Sequence, residues 1–149
     1  MERIDMATPE GLIKVLGGSV VLKQRVRTVQ DLDRLAQDGL PFQALEQVMG
    51  RFRLGRLEVE KVLSLPSRTF ARRKEAARMR ADESDRLIRV ARVGAQAVEV
   101  LGTEERAADW LHRPNRALGN RLPLDLLSTD LGAKQVEEAL SRTEHGVIS

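Results

Sequence analysis

Apolar residues recur at helical spacing along most of the chain, in segments that turn-forming residues separate. After Pro41, apolar residues are spaced three and four apart, at Phe42, Leu45, Val48 and Met49. This spacing places side chains on one face of an α-helix. The longest segment covers residues 82–101, and its apolar stripe is broad enough to pack against both domains of the chain or against a second copy of it. The stripe consists of Leu87, Ile88, Ala91, Gly94, Ala95, Val98 and Leu101.

Capping residues mark where helices begin in the first half of the chain. Thr8, followed by proline and glutamate, favours a first helical turn, and a helix is predicted over residues 11–16 with a stop at Gly17-Gly18. Thr28 begins a predicted helix over residues 28–38, in which Asp31 is placed for a weak capping box and Gly39 is the stop. Residues 19–26 lie between these helices, and their pattern fits a short strand or an extended linker.

The remaining segments follow the same rules. A short helix is predicted over residues 55–64, with Leu57, Val59, Val62 and Leu63 available for burial. Ser67 is predicted to cap the next helix, Thr103 a further one and Thr129 the last, over residues 130–145. A small second core is expected from Trp110, Leu122, Leu124, Leu126, Leu127, Leu131, Val136 and Leu140.

These elements predict an all-α protein in two parts. The boundary is placed near residues 80–84 or within the long helix itself. A division after residue 80 gives an N-terminal domain over residues 1–80 and a C-terminal domain over residues 81–149. The chain has 149 residues, a length that suits two small domains.

Composition narrows the class of protein. The chain is 42% hydrophobic and 32% charged, with one Trp and no Tyr, so its core is built mainly from aliphatic residues. It has no cysteine, which excludes disulfides and thiolate metal sites and fits a reducing cytoplasm. No run approaches the ~20 apolar residues that a membrane span requires, and no cleavage-site pattern appears at the N-terminus.

Charge is distributed unevenly, although the net charge is only +3. Residues 51–80 carry ten Arg and Lys against three Glu, a net +7, whereas residues 117–149 carry three against five, a net −2. A basic middle and an acidic end indicate two partners of opposite charge preference.

The basic charge is concentrated after the break at Leu65-Pro66. A short helix, a tight turn and a second helix form the outline of a helix-turn-helix, in which the second helix enters the major groove. Arg68 and Thr69 would then face base edges, and the neighbouring cations would contact phosphates. The alternative is an ordinary solvated surface. The residues predicted to bind double-stranded DNA are Ser67, Arg68, Thr69, Arg72, Arg73 and Lys74.

Catalysis has little support in the sequence, and no cofactor is expected. The two histidines lie far apart in the chain and outside any metal-binding spacing. Ser141 and His145 share a helix face, but Asp130 lies about three turns earlier, so the three residues cannot form a catalytic triad.

The end of the chain resembles the C-terminal domain of the Xre/MbcA/ParS antitoxin family. The motif consists of Asn115, Ala117-Leu118-Gly119, Pro123-Leu124-Asp125-Leu126-Leu127, Thr129, Gly132, Val136, Leu140 and Glu144-His145-Gly146. The helix-turn-helix before it resembles the Xre-like domain that precedes this module, so the resemblance runs from about residue 39 to the end. Two positions depart from the pattern: Asn120 replaces a usual second glycine, and Thr143 replaces a usual isoleucine.

The resemblance implies a type II antitoxin that represses its own operon and neutralises a RES-domain toxin, an enzyme that consumes NAD or transfers ADP-ribose. The antitoxin tail would cover the toxin's active site. Operator binding implies a homodimer, with a higher-order complex once the toxin is bound. The residues expected at the toxin are Arg142, Glu144, His145, Gly146, Val147, Ile148 and Ser149.

Alternatives remain open for several of these residues. His145 could equally be a helix C-cap, His112 is interpreted as a surface residue, and Trp110 as a core residue. The competing function is a stand-alone helix-turn-helix transcription regulator whose C-terminal domain only dimerises or binds a small ligand.

Overall fold

A computed structural model describes residues 7–144 of the chain, and the side chains of residues 7–143. This part of the chain contains no β-strand, which confirms the all-α prediction. The α-helices are α1 (Pro9–Val15), α2 (Gly18–Leu22), α3 (Val29–Asp38), α4 (Phe42–Phe52), α5 (Arg56–Leu63), α6 (Ser67–Ala76), α7 (Ala81–Leu101), α8 (Glu104–Leu111) and α9 (Asp130–Glu144). Two 3₁₀ helices, Arg116–Leu118 and Pro123–Ser128, lie between α8 and α9.

The predicted caps are confirmed at several helix starts. The Thr8 hydroxyl accepts a hydrogen bond from Gly11 N at 3.0 Å, and that of Thr103 accepts one from Arg106 N at 3.0 Å. Each bond satisfies a backbone donor that has no partner inside its own helix. These short-range contacts set where the helices begin.

Residues 19–26 differ in their first half from both alternatives considered for them, a short strand and an extended linker. Gly17 adopts a left-handed conformation (φ 106°), as a helix stop requires, but Gly18 then begins α2 instead of ending α1. Lys23 ends α2 in a left-handed conformation, and Val26 is buried. The short helix α2 therefore takes the place of the expected strand over residues 19–22, whereas residues 23–26 contain no helix or strand and connect α2 to α3.

Helix α7 forms the centre of the molecule, because α1, α3, α4 and α5 pack on it from the first half of the chain and α8 and α9 from the second. Leu87, Ala91 and Ala97 are fully buried in this helix. A Cβ on Gly94 would lie 2.5 Å from the Phe52 ring, so the missing side chain allows α4 and α7 to approach closely. Burial of Phe52 alone is worth roughly 1.5–3 kcal/mol.

Residues 7–40 belong to the same core. Leu16 and Leu22 are fully buried. Thr8 donates two hydrogen bonds to Glu99 Oε1, from its backbone N (3.2 Å) and its hydroxyl (3.1 Å). These contacts fasten the start of α1 to the last turns of α7.

Two apolar residues expected in the core are exposed instead. The side chain of Leu57 is 79% exposed on α5, and that of Leu131 is 71% exposed on α9. Both lie in the first turn of their helix, where fewer neighbours cover the side chain. The other predicted core residues of these helices, Val59, Val62, Leu63, Val136 and Leu140, are buried.

Candidate functional site

Helices α5 and α6 form the predicted helix-turn-helix outline. Ser64 ends α5 in a left-handed conformation (φ 52°), and Leu65 is buried between the two helices. Pro66 is the N-cap of α6, so Ser67 is the first helical residue and not the cap that the sequence predicted. A proline suits this position because its φ is already fixed near the value required and it contributes no unpaired N–H.

A single aromatic side chain anchors α6 to the molecule. Phe70 is buried and meets the ring of Phe42 edge to face, with ring centroids 5.0 Å apart and planes at 82°. The guanidinium carbon of Arg56 lies 3.8 Å from the centroid of the Phe70 ring, within cation–π range. The face of α6 that contains Phe70 therefore faces the core.

The opposite face of α6 carries exposed cations. Residues 68 and 72 lie two positions either side of Phe70, and at 100° per residue both fall about 160–200° away from it. Arg68, Arg72 and Lys74 are exposed, and we call these three residues the free cations of α6. Lys74 lies four residues after Phe70, only about 40° from it around the helix, so it does not share the face of Arg68 and Arg72. None of the free cations forms an ion pair within residues 7–143. Thr69 is half-buried beside them.

Arg73 differs from its neighbours in the same basic run. Its Nε donates to both carboxylate oxygens of Glu83, at 2.8 and 3.1 Å. The side chain of Arg73 is only 17% exposed and that of Glu83 only 7%. The Glu83 hydrogen bond raises the pKa of Arg73 above its ordinary value.

The expected toxin-contacting end is described only in part. Arg142 is half-buried and lies 4.0 Å from Glu138, one turn earlier on α9. Glu144 is the last residue of α9. The other expected residues, His145, Gly146, Val147, Ile148 and Ser149, lie outside the described residues.

Most of the tail motif has a structural role. The Thr129 hydroxyl accepts from Gly132 N at 2.9 Å and caps α9, as predicted. A Cβ on Gly132 would lie 2.0 Å from the carbonyl oxygen of Leu126, so only glycine allows the second 3₁₀ helix to pack against α9. Leu124 and Leu127 fill the space between them. The motif therefore specifies how this end of the chain folds.

The backbone conformation of residue 120 explains why asparagine is tolerated where the family usually has glycine. Asn120 has a positive φ of 64°, directly after Gly119 at 68°. Asparagine adopts this left-handed conformation more readily than most residues, so it can replace glycine here. Asn120 N also donates to the Asn115 carbonyl at 2.8 Å, which closes the loop.

His112 and Trp110 have more specific positions than the sequence indicated. His112 is not simply a surface residue, because its Nε2 lies 3.0 Å from the carbonyl oxygen of Phe52 at the end of α4. Trp110 is half-buried and packs against the core. Nearby, the Arg53 guanidinium binds Asp109 and lowers the pKa of that carboxyl. These contacts fasten α8 to α4.

Within residues 7–143, no group of three or more His, Asp or Glu side chains is arranged to hold a metal ion. None of the helices described for this chain has the length and apolar character needed to cross a membrane.

Both halves of the chain match known domain families. Residues 31–92 match the antitoxin Xre-like helix-turn-helix domain, and residues 96–146 match the antitoxin Xre/MbcA/ParS C-terminal toxin-binding domain. The first match spans α3 to the middle of α7 and contains the free cations of α6. The second contains α8, both 3₁₀ helices and α9.

Three curated relatives carry the name antitoxin Xre. The protein from Photorhabdus laumondii subsp. laumondii is 32% identical over 120 residues, which are 79% of this chain and 81% of the relative. The Yersinia enterocolitica protein is 37% identical over 94 residues, 62% of this chain and 64% of the relative. The Pseudomonas putida protein is 37% identical over 89 residues, 59% and 56% of the two chains. With both domains present in order and a relative matched over most of its length, the chain belongs to the Xre family of antitoxins.

Proposed function

We propose that this chain is the antitoxin of a type II toxin–antitoxin system, and that it binds operator DNA through α6 and its toxin through the C-terminal end. The observation that carries the DNA-binding part is the pair of exposed arginines, Arg68 and Arg72, on the face of α6 opposite to the one that Phe70 anchors. Cations without an internal partner are available to phosphates and base edges.

The position of each cation suggests its role at DNA. Arg68 lies in the first turn of α6, where a recognition helix contacts base edges, and arginine pairs bidentately with guanine. Arg72 lies one turn later on the same face and would contact a phosphate, as would Lys74. Binding to two half-sites requires a homodimer, which places one α6 at each half-site. Bound upstream of its own reading frame, this dimer would repress the operon.

The toxin-binding part rests on the family to which the chain belongs. The matched toxin-binding domain extends to residue 146 and so includes all of α9, which ends at Glu144, together with His145 and Gly146. The partner that we propose is a RES-domain toxin that consumes NAD. The residues from Arg142 to the end would cover the entrance of its active site, and the antitoxin itself would perform no chemistry.

Replacement of Arg68 and Arg72 by Ala tests the DNA-binding part. Duplex DNA from the region upstream of the reading frame would be titrated in a gel shift at several salt concentrations. We expect the double variant to lose retention at moderate salt, and Arg72→Ala alone to reduce the slope of log K against log salt by about 0.9, the value for one phosphate contact. Lys134→Ala is the matched control, because it removes an exposed, unpaired cation from α9. Unchanged retention by the double variant would contradict the assignment of α6.

Deletion of residues 143–149 tests the toxin-binding part. Co-expressed with the product of the neighbouring gene, the truncated chain should retain operator binding but no longer prevent growth arrest or NAD consumption. The Arg68→Ala/Arg72→Ala variant should lose operator binding but still prevent growth arrest and NAD consumption. Continued protection by the truncated chain would exclude the tail as the inhibitory element.

The same assays distinguish the antitoxin from a stand-alone transcription regulator. That function predicts operator binding, no co-purifying toxin and no effect on NAD consumption. No contact in the described residues favours it over the antitoxin.

A further inference from the structure

We infer that Arg73 is a positioning residue and not a DNA contact, and that Glu83 is its partner in holding α6 in the orientation that presents Arg68 and Arg72. This inference rests on the proposed DNA-binding function and assigns different roles to adjacent arginines of one basic run. The ion pair between Arg73 and Glu83 is called the α6–α7 clamp below.

The clamp lies where it can fix rotation of α6 about its axis. Arg73 is three residues after Phe70, so the two side chains share the face of α6 that meets the core. Phe70 fixes the first half of the helix and Arg73 the second. Arg68 and Arg72 project from the opposite face, and their direction therefore depends on both anchors.

Glu83 is itself held rigidly by the start of α7. Its Oε1 also accepts from Arg80 N at 2.9 Å, as the acid of a capping box does. The next residue, Ser84, donates its hydroxyl to the Arg80 carbonyl and accepts from Leu40 N, both at 2.8 Å. The carboxylate that receives Arg73 thus has a fixed position relative to the core.

The chain between α6 and α7 is fastened to the same region. Ala77 ends α6 in a left-handed conformation (φ 62°), and its carbonyl accepts from Phe42 N at 3.1 Å. Met79 is buried, and its N donates to the Leu40 carbonyl at 2.8 Å. These backbone bonds hold the end of α6 in place, and the clamp adds the side-chain contact that determines how the helix is turned.

Energetics disfavour release of Arg73 to a phosphate. Glu83 is buried, and removal of its guanidinium partner would leave a buried carboxylate without a counter-charge. An unpaired buried charge strongly destabilises the folded chain. This cost is larger than the free energy that one solvent-exposed phosphate contact would contribute to binding. The neighbouring free cations can reach phosphates without this penalty.

Salt-dependent DNA binding of four variants separates the two roles. Arg73→Gln, Glu83→Gln, Arg73→Lys and the exchange Arg73→Glu/Glu83→Arg would be titrated in the full-length chain with duplex DNA from its upstream region. Thermal unfolding of each variant would fix a common temperature at which all are folded. Arg72→Gln serves as the matched neighbour.

The clamp predicts that Arg73→Gln and Glu83→Gln weaken binding about equally, by about tenfold, the equivalent of one hydrogen bond to a charged group. The salt slope should stay at the wild-type value for both, because no phosphate contact is lost. Arg73→Lys should weaken binding despite its unchanged charge, since lysine cannot reproduce the two-oxygen contact. The exchange should recover a large part of the lost affinity.

A phosphate contact by Arg73 predicts the opposite results. Arg73→Gln would then lower the salt slope by about 0.9, Arg73→Lys would bind almost normally, and Glu83→Gln would leave binding unchanged or tighten it by removing a nearby negative charge. Any of these three results overturns the inference. If Arg72→Gln also leaves affinity and slope unchanged, the proposed DNA-binding role of α6 fails, which is a distinct outcome.

If Glu83→Gln is too unstable to assay, Arg73→Lys still distinguishes a positioning role of Arg73 from a phosphate contact. The first role predicts weakened DNA binding by Arg73→Lys, and the second predicts almost normal binding. Amide hydrogen exchange gives an independent readout. The clamp predicts faster exchange in α6 of Arg73→Lys, with α4 unchanged.

Discussion

At the scale of single residues, the glycine at position 132 of the tail motif is explained by close backbone approach. Gly132 lies at the start of α9 where a Cβ would be 2.0 Å from the Leu126 carbonyl oxygen and 3.0 Å from the Thr129 hydroxyl. A backbone carbonyl cannot rotate away as a side chain can. Glycine at this position is therefore required by packing within the chain, whether or not a partner binds.

We expect Gly132→Ala to lower the free energy of unfolding by about 1–3 kcal/mol, the usual range for overpacking. Gly50→Ala is the matched control, since Gly50 is exposed within α4 and a Cβ there meets no atom within 4 Å. It should raise stability by about 0.5–1 kcal/mol, because alanine favours the helix. Urea unfolding of both variants measures the difference, and equal stabilities would contradict the proposed packing of the second 3₁₀ helix on α9.

At the scale of secondary structure, the start of α3 shows a complete capping box. The Thr28 hydroxyl accepts from Asp31 N at 3.0 Å, and Asp31 Oδ2 accepts from Thr28 N at 3.2 Å and Arg27 N at 3.0 Å. The backbone bond from Arg27, followed by that from Thr28, lowers the pKa of Asp31. The sequence predicts only a weak capping box at Asp31, and the structure shows both of its arms.

Thr28→Ala should lower the free energy of unfolding by about 1 kcal/mol, as loss of an N-cap side chain does. Thr28→Ser retains the hydroxyl and should have a much smaller effect. Denaturant unfolding measures the free energy of unfolding of both variants and so distinguishes the two effects. Equal destabilisation by both substitutions would assign the effect to the threonine methyl group and not to the cap.

The pH dependence of α3 follows from the lowered pKa of Asp31. A carboxyl whose pKa is lower in the folded state stabilises it above the unfolded pKa of about 3.9, and this contribution is lost as pH falls through the folded value. Asp31→Asn should therefore lower the unfolding midpoint at pH 7 and converge with the wild type at pH below the folded pKa. A difference that persists unchanged in acid would show that the charge of Asp31 is not responsible.

At the scale of the whole molecule, α7 connects the two matched domains. Its Arg89 Nε donates to Asp130 at 2.8 Å and its Arg92 Nε to Glu137 at 2.9 Å, which fastens α9 to the same helix that α1 and α3 cover. A cut at the predicted boundary, between residues 80 and 81, would also separate Arg73 from Glu83. The boundary stays a prediction, and the structure adds the contacts that cross it.

This arrangement predicts a single cooperative unfolding transition. Trp110 is the only Trp and lies in α8, so its fluorescence reports the second half, whereas far-UV circular dichroism reports every helix. The two midpoints should coincide within error, the signature of two-state behaviour. A fluorescence transition clearly separated from the circular dichroism transition would show that the halves unfold independently.

The sequence by itself determined where most of the helices lie and which helix carries the basic charge. Capping residues, the Leu65-Pro66 break and helical periodicity act over three to five positions, so they can be identified without knowledge of the fold. The tail motif could also be identified by its fixed spacings. The sequence pattern did not predict the short helix α2, because the adjacent glycines Gly17 and Gly18 are typical of the end of a helix.

Only the tertiary structure decided which members of chemically similar sets are available to partners. Arg72 and Arg73 are identical in chemistry and adjacent in sequence, but Glu83 at the start of α7 pairs with Arg73 alone. Likewise, the Phe52 carbonyl that His112 contacts lies sixty residues away in the chain. Such partners are brought together by the packing of whole helices, and no local pattern in the sequence records that packing.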